Sequence, residues 1–357
     1  DYNSMKKVLL LAYYFPPRNR TSSFRPGYFA KYLPKQGWNP TVICEDWPQG
    51  AKDHDPSFLS DIPKEIEVHR IDSAKPKGLY RFYVRNIAPY LKLEKTPLHW
   101  WKKARLKAFE LNDRQKFDAI WATYDPLATL TLAAELSSKY STPWVADLRD
   151  SWIIQKMGSK QKRQRIARYE QKLCKLANQV VTVSQGLAAS LESCLQRKVS
   201  VIKNGFDPTA YPVHCPPSNK IFTLLYAGNI SKARNPSTVL EAIERCIAHK
   251  LIPKEQFQLR FLGSNPQDFA KFKLESLKQV SFSIEKRLPI RDALCKQMEA
   301  AALLLLTYPN EVGVLTCKVF DYLGAGRPIL GVPDDGGDIS ALLKSTGAGV
   351  CCSTVEE

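Results

Sequence analysis

Short apolar segments alternate twice with segments of helical spacing along this 357-residue chain, and this alternation constrains the fold most. The first run opens with the apolar segment Lys6–Tyr14, and the second restarts at Phe222–Tyr226. Such alternation is typical of α/β domains in which helices cover both faces of a parallel sheet. The sequence therefore predicts two Rossmann-like, doubly wound domains that face a central cleft.

A segment without hydrophobic periodicity separates the two runs. Residues Asn204–Lys220 are rich in Pro, Gly and Asn, which is typical of a linker. We place an N-terminal domain at residues 1–205, the linker at 206–219 and a C-terminal domain at 220–357. Residues 1–4, before Met5, are expected to be a cloning remnant. A further C-terminal tail is expected beyond the predicted strand Gly349–Cys352.

The composition argues against membrane-spanning and metal-binding classes. The longest apolar run, Ala300–Leu306, is far shorter than the ~20 residues that cross a bilayer, and no signal peptide is recognisable. The nine cysteines include no CxxC pair and the five histidines show no ligand spacing, so we predict no metal ion and a reducing, cytoplasmic setting. The net charge of +17 indicates an anionic partner: nucleic acid, acidic lipid or a phosphorylated small molecule.

The stretch Asn310–Pro333 is the first candidate for a binding site. A helix is predicted at about Cys317–Leu323, capped by the Thr316 hydroxyl and ended by glycines and Pro328. The start of such a helix presents unpaired backbone N–H groups, which attract phosphate. The backbone expected to meet a phosphate comprises Gly313, Val314, Leu315 and Thr316.

Lys318 and Asp321 are three residues apart, so they lie on one face of that predicted helix. The ammonium suits the phosphates of a nucleotide diphosphate, and the carboxylate suits its ribose hydroxyls. The alternative is an ordinary α/β loop with a solvated lysine and aspartate.

A second basic loop follows the first strand of the C-terminal run. Gly228 allows close approach of a ligand to the backbone, Asn229 follows it, and Lys232 or Arg234 can neutralise a phosphate. Neither loop matches GxGxxG or GxxxxGK[ST], which argues against classical dinucleotide binding and ATP hydrolysis. The alternative is a solvated basic loop.

Charged residues also follow a predicted strand of the N-terminal domain. The segment Trp144–Trp152 carries Asp147, Arg149 and Asp150, and Tyr124 ends the preceding strand. Carboxylates at this position can orient an acceptor hydroxyl or assist proton transfer. The alternative is a structural Arg–Asp pair in a loop.

The block Lys75–Lys116 carries twelve Lys and Arg against three Asp and Glu, with interleaved aromatic residues. One interpretation is a membrane-surface patch formed by Trp100, Trp101, Lys102 and Lys103. A second is nucleic-acid binding by stacking and phosphate contact. A third is a solvated helix pair over the sheet.

In order and spacing these segments resemble the GT-B glycosyltransferases, especially the family 4 group of retaining, sugar-nucleotide-dependent enzymes that build bacterial surface polysaccharides. The resemblance covers nearly the whole chain. It rests on six segments: YYFPPRNRTSSFRPGYFAKYLPKQGWNPTVIC, WVADLRDSW, VVTVSQGLAASL, VIKNGFD, LLYAGNISKARNPSTVLEAI and KVFDYLGAGRPILGVP.

The resemblance implies that the C-terminal domain holds the donor nucleotide and the N-terminal domain the acceptor. Asp321 falls where the family has a glutamate for the ribose hydroxyls, and Glu311 is displaced by two residues from the family's other glutamate. The first loop falls where the family brings the chain near the donor phosphates, so Arg18 and Arg25 become candidates on the acceptor side. That loop lacks the paired glycines common in the family.

The predicted function is transfer of a sugar from a nucleotide-diphosphate donor to a hydroxyl of a lipid-linked or glycan acceptor in bacterial surface polysaccharide synthesis. We expect retention of configuration, no metal and no cofactor beyond the nucleotide sugar. The expected location is the cytoplasm, peripheral on the inner face of the plasma membrane. The alternatives are a nucleotide-sugar epimerase of the same fold and a basic nucleic-acid-binding protein.

Overall fold

A computed structural model of the protein describes residues 5–73, 98–151, 153–154, 160–212, 215–216, 221–231, 234–269, 272, 280–308 and 313–357. The chain forms two compact units. Unit 1 comprises Asp1–Val183 and Leu187–Lys203, and unit 2 comprises Ser184–Gly186 and Asn204–Glu357. The described part of the predicted linker therefore belongs to unit 2, where it includes the helical turn Pro208–Ala210.

Unit 1 is built on a parallel sheet of seven described strands in the order β3-β2-β1-β4-β5-β6-β7. The four C-terminal residues of β1 are buried, as expected for a strand covered on both faces. The strands are β1 (Lys6–Leu11), β2 (Trp38–Glu45), β3 (Glu67–Ile71), β4 (Ala119–Tyr124), β5 (Trp144–Leu148), β6 (Gln179–Thr182) and β7 (Ser200–Val201).

Helices pack on both faces of this sheet and form two separate apolar clusters. The first helix begins at Thr21 and is followed by a 3-10 turn at Leu33–Gln36, which Gly37 ends in a left-handed conformation. The helices that begin before residue 200 are α1 (Thr21–Tyr32), α2 (Leu98–Arg114), α3 (Leu127–Tyr140), α4 (Lys160–Leu176) and α5 (Gln185–Leu195).

Unit 2 has a parallel sheet of six described strands in the order β10-β9-β8-β11-β12-β13. Its strands are β8 (Phe222–Ala227), β9 (Phe257–Leu262), β10 (Phe282–Glu285), β11 (Ala302–Leu306), β12 (Ile329–Val332) and β13 (Gly349–Cys351). Its helices are α6 (Ser237–Ala248), α7 (Pro266–Phe269), α8 (Ile290–Glu299), α9 (Cys317–Ala325) and α10 (Asp338–Thr346). Together the two sheets confirm the predicted doubly wound α/β class.

In both sheets the strand order reverses at one point, where the chain returns to the other side of its first strand. In unit 1 the chain passes from β1 to β2 and β3 and then returns to place β4 beside β1. In unit 2 it passes from β8 to β9 and β10 and then places β11 beside β8. Ligands of open α/β sheets bind in the crevice outside the carboxyl ends of the strands at such switch points. The loops after β1, β4, β8 and β11 are therefore the places to look for a site.

Sequence reasoning gave no helix between β12 and β13, where the structure has α10. The glycines Gly336 and Gly337 obscure its start. The Asp335 carboxylate instead organises it, because it accepts hydrogen bonds from the amides of Ile339 and Ser340 at 3.0 and 2.9 Å. In the parts of the chain that the structure describes, no helix combines the length and apolar character needed to cross a bilayer.

Candidate functional site

The loop after β8 begins with a glycine that the local geometry requires. Gly228 has a φ of +145°, and its amide donates to the Leu262 carbonyl at 2.7 Å while its carbonyl accepts from the Ser264 hydroxyl at 2.6 Å. A Cβ at this position would overlap Lys318 Nζ and lie 2.5 Å from Lys318 Cε. The backbone after β8 and the ammonium of α9 are thus in direct contact.

Helix α9 begins at Cys317 and extends two residues beyond the predicted end, to a left-handed Gly326. Thr316 is the N-cap residue, but the prediction that its hydroxyl caps the helix is wrong, because that side chain makes no capping hydrogen bond. Backbone amides in the first turn of a helix have no intrahelical acceptor. They point to the same end of the sheet as Gly228, where an anion can accept from them.

The turn before α9 is held in place by a hydrogen bond and by a buried side chain. Gly313 has a φ of +83°, and its carbonyl accepts from the Ser184 hydroxyl at 2.7 Å. The Leu315 side chain is buried in the apolar cluster beneath α9, whereas Val314 and Thr316 are half-buried. Only backbone atoms of Leu315 are therefore available to a ligand. Glu311 lies outside the described residues.

Lys318 is held against an aromatic ring at the end of β8. Its Nζ donates to Tyr226 Oη at 3.0 Å and lies 4.7 Å from the ring centroid, and Tyr226 Oη donates in turn to the Asn229 carbonyl at 2.9 Å. Burial lowers the pKa of Lys318 to about 7; the charge of Arg234 acts in the same direction and Asp321 opposes it. This ammonium is partly desolvated and has no fixed counter-ion at hydrogen-bond distance in the described chain.

Asp321 follows one turn later on the same helix. Burial raises its pKa to about 7, and the charge of Lys318 opposes that rise. Its backbone carbonyl accepts from Tyr211 Oη at 2.9 Å. A carboxyl group with a pKa near neutrality ionises readily when a hydrogen-bond donor arrives, so it can receive ribose hydroxyls.

Arg234 connects the two loops that flank the switch point. A tight turn closes on itself where the Arg234 amide donates to the Ser231 carbonyl at 3.0 Å. The guanidinium lies 5.1 Å from the ring centroid of Tyr308, which follows β11. Lys232 lies outside the described residues.

Two tyrosines of this site were not found by sequence reasoning. Tyr226 supports Lys318, and the fully buried Tyr322 accepts the Ala227 amide at 2.9 Å, which ties α9 to the end of β8. Both occupy apolar positions of their segments and appear as core residues in the sequence. Only the hydroxyls, which need polar partners when buried, hint at another role.

In unit 1 Asp147, predicted as a catalytic residue, is engaged in an internal ion pair. Asp147 is fully buried, and its carboxylate accepts from the guanidinium of Arg25 at 2.8–3.1 Å and from the Thr123 hydroxyl at 2.9 Å. Arg25 also donates to the Ile202 carbonyl at 2.8 Å. The pair joins α1 to the centre of the sheet, and neither side chain is available to an acceptor.

The other charged residues of this edge remain accessible. Asp150 is exposed and Arg149 half-buried, with Arg149 Nη2 donating to the Tyr124 carbonyl at 2.9 Å. The Tyr124 side chain is 3% exposed and packs in the core, so only its carbonyl serves the edge. Burial raises the pKa of Asp125, with Arg149 lowering it and Asp150 raising it. Asp125, directly after β4, is thus a half-buried carboxyl group with a raised pKa beside the exposed Asp150.

Arg18 is also an internal residue rather than an acceptor contact. Its guanidinium pairs with Glu45 at 2.6 Å and lies 3.6 Å from the Trp47 ring centroid and 4.6 Å from that of Tyr14. Only 8% of Arg18 is exposed. Arg18, predicted as an acceptor-side candidate, is thus buried in unit 1, where Glu45 balances its charge.

The residues of the predicted membrane patch lie on different sides of α2. Trp100 is fully buried and its ring packs edge-on against Tyr13 at 5.2 Å, so its predicted place among lipid headgroups is wrong. Trp101 is half-buried, while Lys102 and Lys103 are exposed, the latter paired with Asp72 at 2.9 Å. Lys75–Pro97, the earlier part of the basic block, lies outside the described residues.

Two groups of possible metal ligands occur in the described chain, and sequence spacing reveals neither. Asp334, Asp335 and Cys351 lie within 4.8 Å of one another, but Asp335 is engaged by amides of α10. The other group consists of Cys215, Cys295 and Glu299.

Comparison with known proteins places this geometry in context. The family model Glycosyltransferase Family 4 matches residues 27–210, which is 184 of the 357 residues. No curated protein matches the sequence.

Solved structures share the fold at low sequence identity. WaaG, a glycosyltransferase involved in lipopolysaccharide biosynthesis, has a TM-score of 0.57 at 11% identity, covering 97% of this chain and 86% of WaaG. The UDP-forming α,α-trehalose-phosphate synthase from Burkholderia vietnamiensis has a TM-score of 0.60 at 8% identity, covering 99% and 87%. A putative UDP-N-acetylglucosamine 2-epimerase from Listeria monocytogenes has a TM-score of 0.55 at 11% identity, covering 99% and 85%.

At these identities the structural similarity bears on the fold alone, and it confirms the predicted GT-B class. The family model covers more than half of the sequence and so bears on the activity. The chain belongs to Glycosyltransferase Family 4 and is a glycosyltransferase.

Proposed function

We propose that unit 2 binds the diphosphate of a nucleotide sugar between the Gly228 loop and the start of α9, and that the enzyme transfers this sugar to an acceptor hydroxyl. One observation carries the proposal: the partly desolvated ammonium of Lys318 lies against the glycine backbone at the β8/β11 switch point. Such a cation, next to helix-start amides, matches a diphosphate in both charge and shape.

The roles of these residues in sugar transfer follow from the position at which negative charge develops. As the bond between the anomeric carbon and the phosphate oxygen breaks, negative charge accumulates on the departing diphosphate. Lys318, Arg234 and the first amides of α9 stabilise that charge, and they are in place before the reaction starts. The positive charge that stabilises the departing diphosphate thus comes from the protein.

The ribose is assigned to Asp321. This residue is one helical turn from Lys318, so a nucleotide with its phosphates at Lys318 presents its ribose hydroxyls to the carboxylate. A uridine nucleotide is the first choice to test, because UDP appears in the names of two proteins of similar fold.

The acceptor hydroxyl is assigned to the carboxyl edge of unit 1. Asp125 and Asp150 provide carboxylates there, and Arg149 balances their charge. A carboxylate at hydrogen-bond distance from the hydroxyl can receive its proton as the new bond forms. Retention of configuration is proposed from the family resemblance, and the anomeric proton coupling in the product NMR spectrum tests it.

We further propose that the acceptor is lipid-linked and that unit 1 docks on an anionic bilayer, as part of surface polysaccharide synthesis. A groove of about 870 Å³ between α2, α3 and α4 supports this. Trp101, Phe109 and Leu176 give it an apolar floor. Lys102, Lys139 and Lys172 line the same groove and are exposed, which matches an anionic amphiphile.

The donor assignment is tested by isothermal titration with UDP, GDP and dTDP. We expect one of them to bind wild-type protein, and Asp321→Ala and Lys318→Met to weaken that binding at least tenfold. The matched controls are Asp292→Ala and Lys344→Met, at exposed positions of other helices in unit 2. Equal affinity of wild type and both site variants would refute the assignment.

A nucleotide-sugar epimerase is the second candidate, favoured by the fold shared with the Listeria protein. An epimerase needs no acceptor. Incubation with a nucleotide sugar alone, followed by chromatography of the nucleotide products, separates the two: an epimeric nucleotide sugar indicates epimerase, and product that forms only with an acceptor indicates transferase.

A further inference from the structure

Two cysteines that are 80 residues apart in sequence meet in unit 2. Cys215 Sγ and Cys295 Sγ are 2.7 Å apart. Cys295 lies on α8 and Cys215 on the segment that leads from residue 204 to β8, and both are half-buried. This distance is far shorter than an ordinary contact between two thiols and only somewhat longer than the ~2.05 Å of a disulfide bond.

One arginine bonds to the backbone of both segments that carry these cysteines. Arg327, just after α9, donates through Nη2 to the Cys215 carbonyl at 3.3 Å and through Nε to the Met298 carbonyl at 2.7 Å. Met298 belongs to the last turn of α8, three residues after Cys295. The two thiols are therefore brought together by a framework that does not depend on a bond between them.

From these contacts we infer that Cys215 and Cys295 are a modification site that forms a reversible disulfide. Zinc is the competing occupant, with Glu299 as a third ligand. Two thiolates on one tetrahedral zinc lie about 3.8 Å apart, because each Zn–S bond is about 2.3 Å. The Lys296 ammonium also lies 2.8 Å from Glu299 and opposes a second cation there. The geometry favours the disulfide.

The bond forms by exchange with a small oxidised disulfide such as oxidised glutathione. One of the two thiols, written here as Cys215, loses its proton to solvent and attacks as the thiolate. One glutathione leaves as a thiol, and a mixed disulfide remains on Cys215. Cys295 then loses its proton to solvent, attacks the Cys215 sulfur and releases the second glutathione, which takes up a proton as it leaves. Two protein thiols are oxidised and one glutathione disulfide is reduced.

The bond has a structural consequence near α9. Tyr211, on the same segment as Cys215, donates to the Asp321 carbonyl and packs its ring on the α-carbon of Gly324. A disulfide at Cys215 anchors this segment against α8 and so holds Tyr211 on α9. An effect on nucleotide affinity rests on the proposed function, whereas formation of the bond does not.

The test uses full-length protein equilibrated with oxidised or reduced glutathione, alkylated, digested without reductant and analysed by mass spectrometry. We expect a Cys215–Cys295 cross-linked peptide only in the oxidised sample. Oxidation should also raise the Tm of wild type by about 5 °C or more, because the bond closes a long loop. Cys215→Ser and Cys295→Ser should each abolish both signals, and Cys194→Ser, at an exposed cysteine of unit 1, should abolish neither.

The proposal is overturned if both cysteines remain alkylated after oxidation or if a different pair is cross-linked. It is also overturned if purified protein contains stoichiometric zinc that both serine variants lose. A cross-link without any change in UDP, GDP or dTDP affinity leaves the disulfide supported and rejects only its link to the nucleotide site.

Discussion

The Lys318 ammonium occupies the space that a side chain at residue 228 would need, so the two residues form one structural unit across β8 and α9. We predict that Gly228→Ala displaces the lysine head group, which is the mobile end of a flexible chain, and weakens nucleotide affinity at least tenfold. The positive φ adds about 1 kcal/mol of strain. Gly347→Ala, at φ +65° with open space around it, should cost similar stability without changing affinity. Titration calorimetry and urea denaturation measure both, and equal affinity losses would contradict the pairing.

We predict that nucleotide binding is coupled to proton uptake above pH 7 and to proton release below pH 7. Lys318 and Asp321 both have a pKa of about 7 in the nucleotide-free protein. At pH 8 Lys318 is largely neutral, so an arriving diphosphate should draw a proton onto it. At pH 6 Asp321 is largely protonated, so an arriving ribose should release its proton.

This exchange is measured by calorimetry in buffers of different ionisation enthalpy. Lys318→Met should abolish proton uptake at pH 8, and Asp321→Asn should abolish release at pH 6. Uptake or release of the same sign at both pH values would contradict the assignment of these two groups.

Lys318 should reduce the stability of the nucleotide-free enzyme. Its pKa falls from 10.5 to about 7 on folding, so the unfolded chain binds more protons between these values and stability rises with pH in that window. The full cost is present below pH 7. We predict that Lys318→Met raises the Tm most at pH 6, with a gain that declines towards pH 10. Lys344→Met, at an exposed position of α10, should show no such trend.

The parts of this molecule that follow local patterns are those that sequence alone predicted. Helix α9 begins at the predicted residue, Cys317, because a distinct turn precedes its helical spacing. Contacts between residues that are far apart in the chain could not be predicted from the sequence. Asp147 appears catalytic until Arg25, 122 residues away, is found to neutralise it. The neighbours Trp100 and Trp101 looked equivalent, but adjacent helix positions point about 100° apart, so only one enters the core.

The Arg25–Asp147 pair yields a stability prediction. Arg25→Met leaves a fully buried carboxylate without its partner, which typically costs 3–5 kcal/mol. We expect the urea midpoint of unit 1 to fall accordingly, and the double variant Arg25→Met/Asp147→Leu to recover much of the loss.

Asp150→Asn is the functional counterpart, because Asp150 is exposed and free of that pair. It should leave the urea midpoint unchanged and lower the rate of sugar transfer at least tenfold. A loss of transfer in Asp150→Asn that is matched by a loss of stability would argue against an acceptor-side role.

The groove on unit 1 predicts binding to anionic bilayers. Wild-type protein should float with vesicles that contain phosphatidylglycerol and much less with pure phosphatidylcholine, and added salt should weaken the effect. Leu106 lines the groove and is 70% exposed, so Leu106→Glu should place a negative charge against the bilayer and reduce flotation several-fold. Leu251, on unit 2, is 73% exposed, and Leu251→Glu adds the same charge away from the groove. Flotation should therefore be retained in Leu251→Glu, and an equal reduction in both variants would show that only net charge matters.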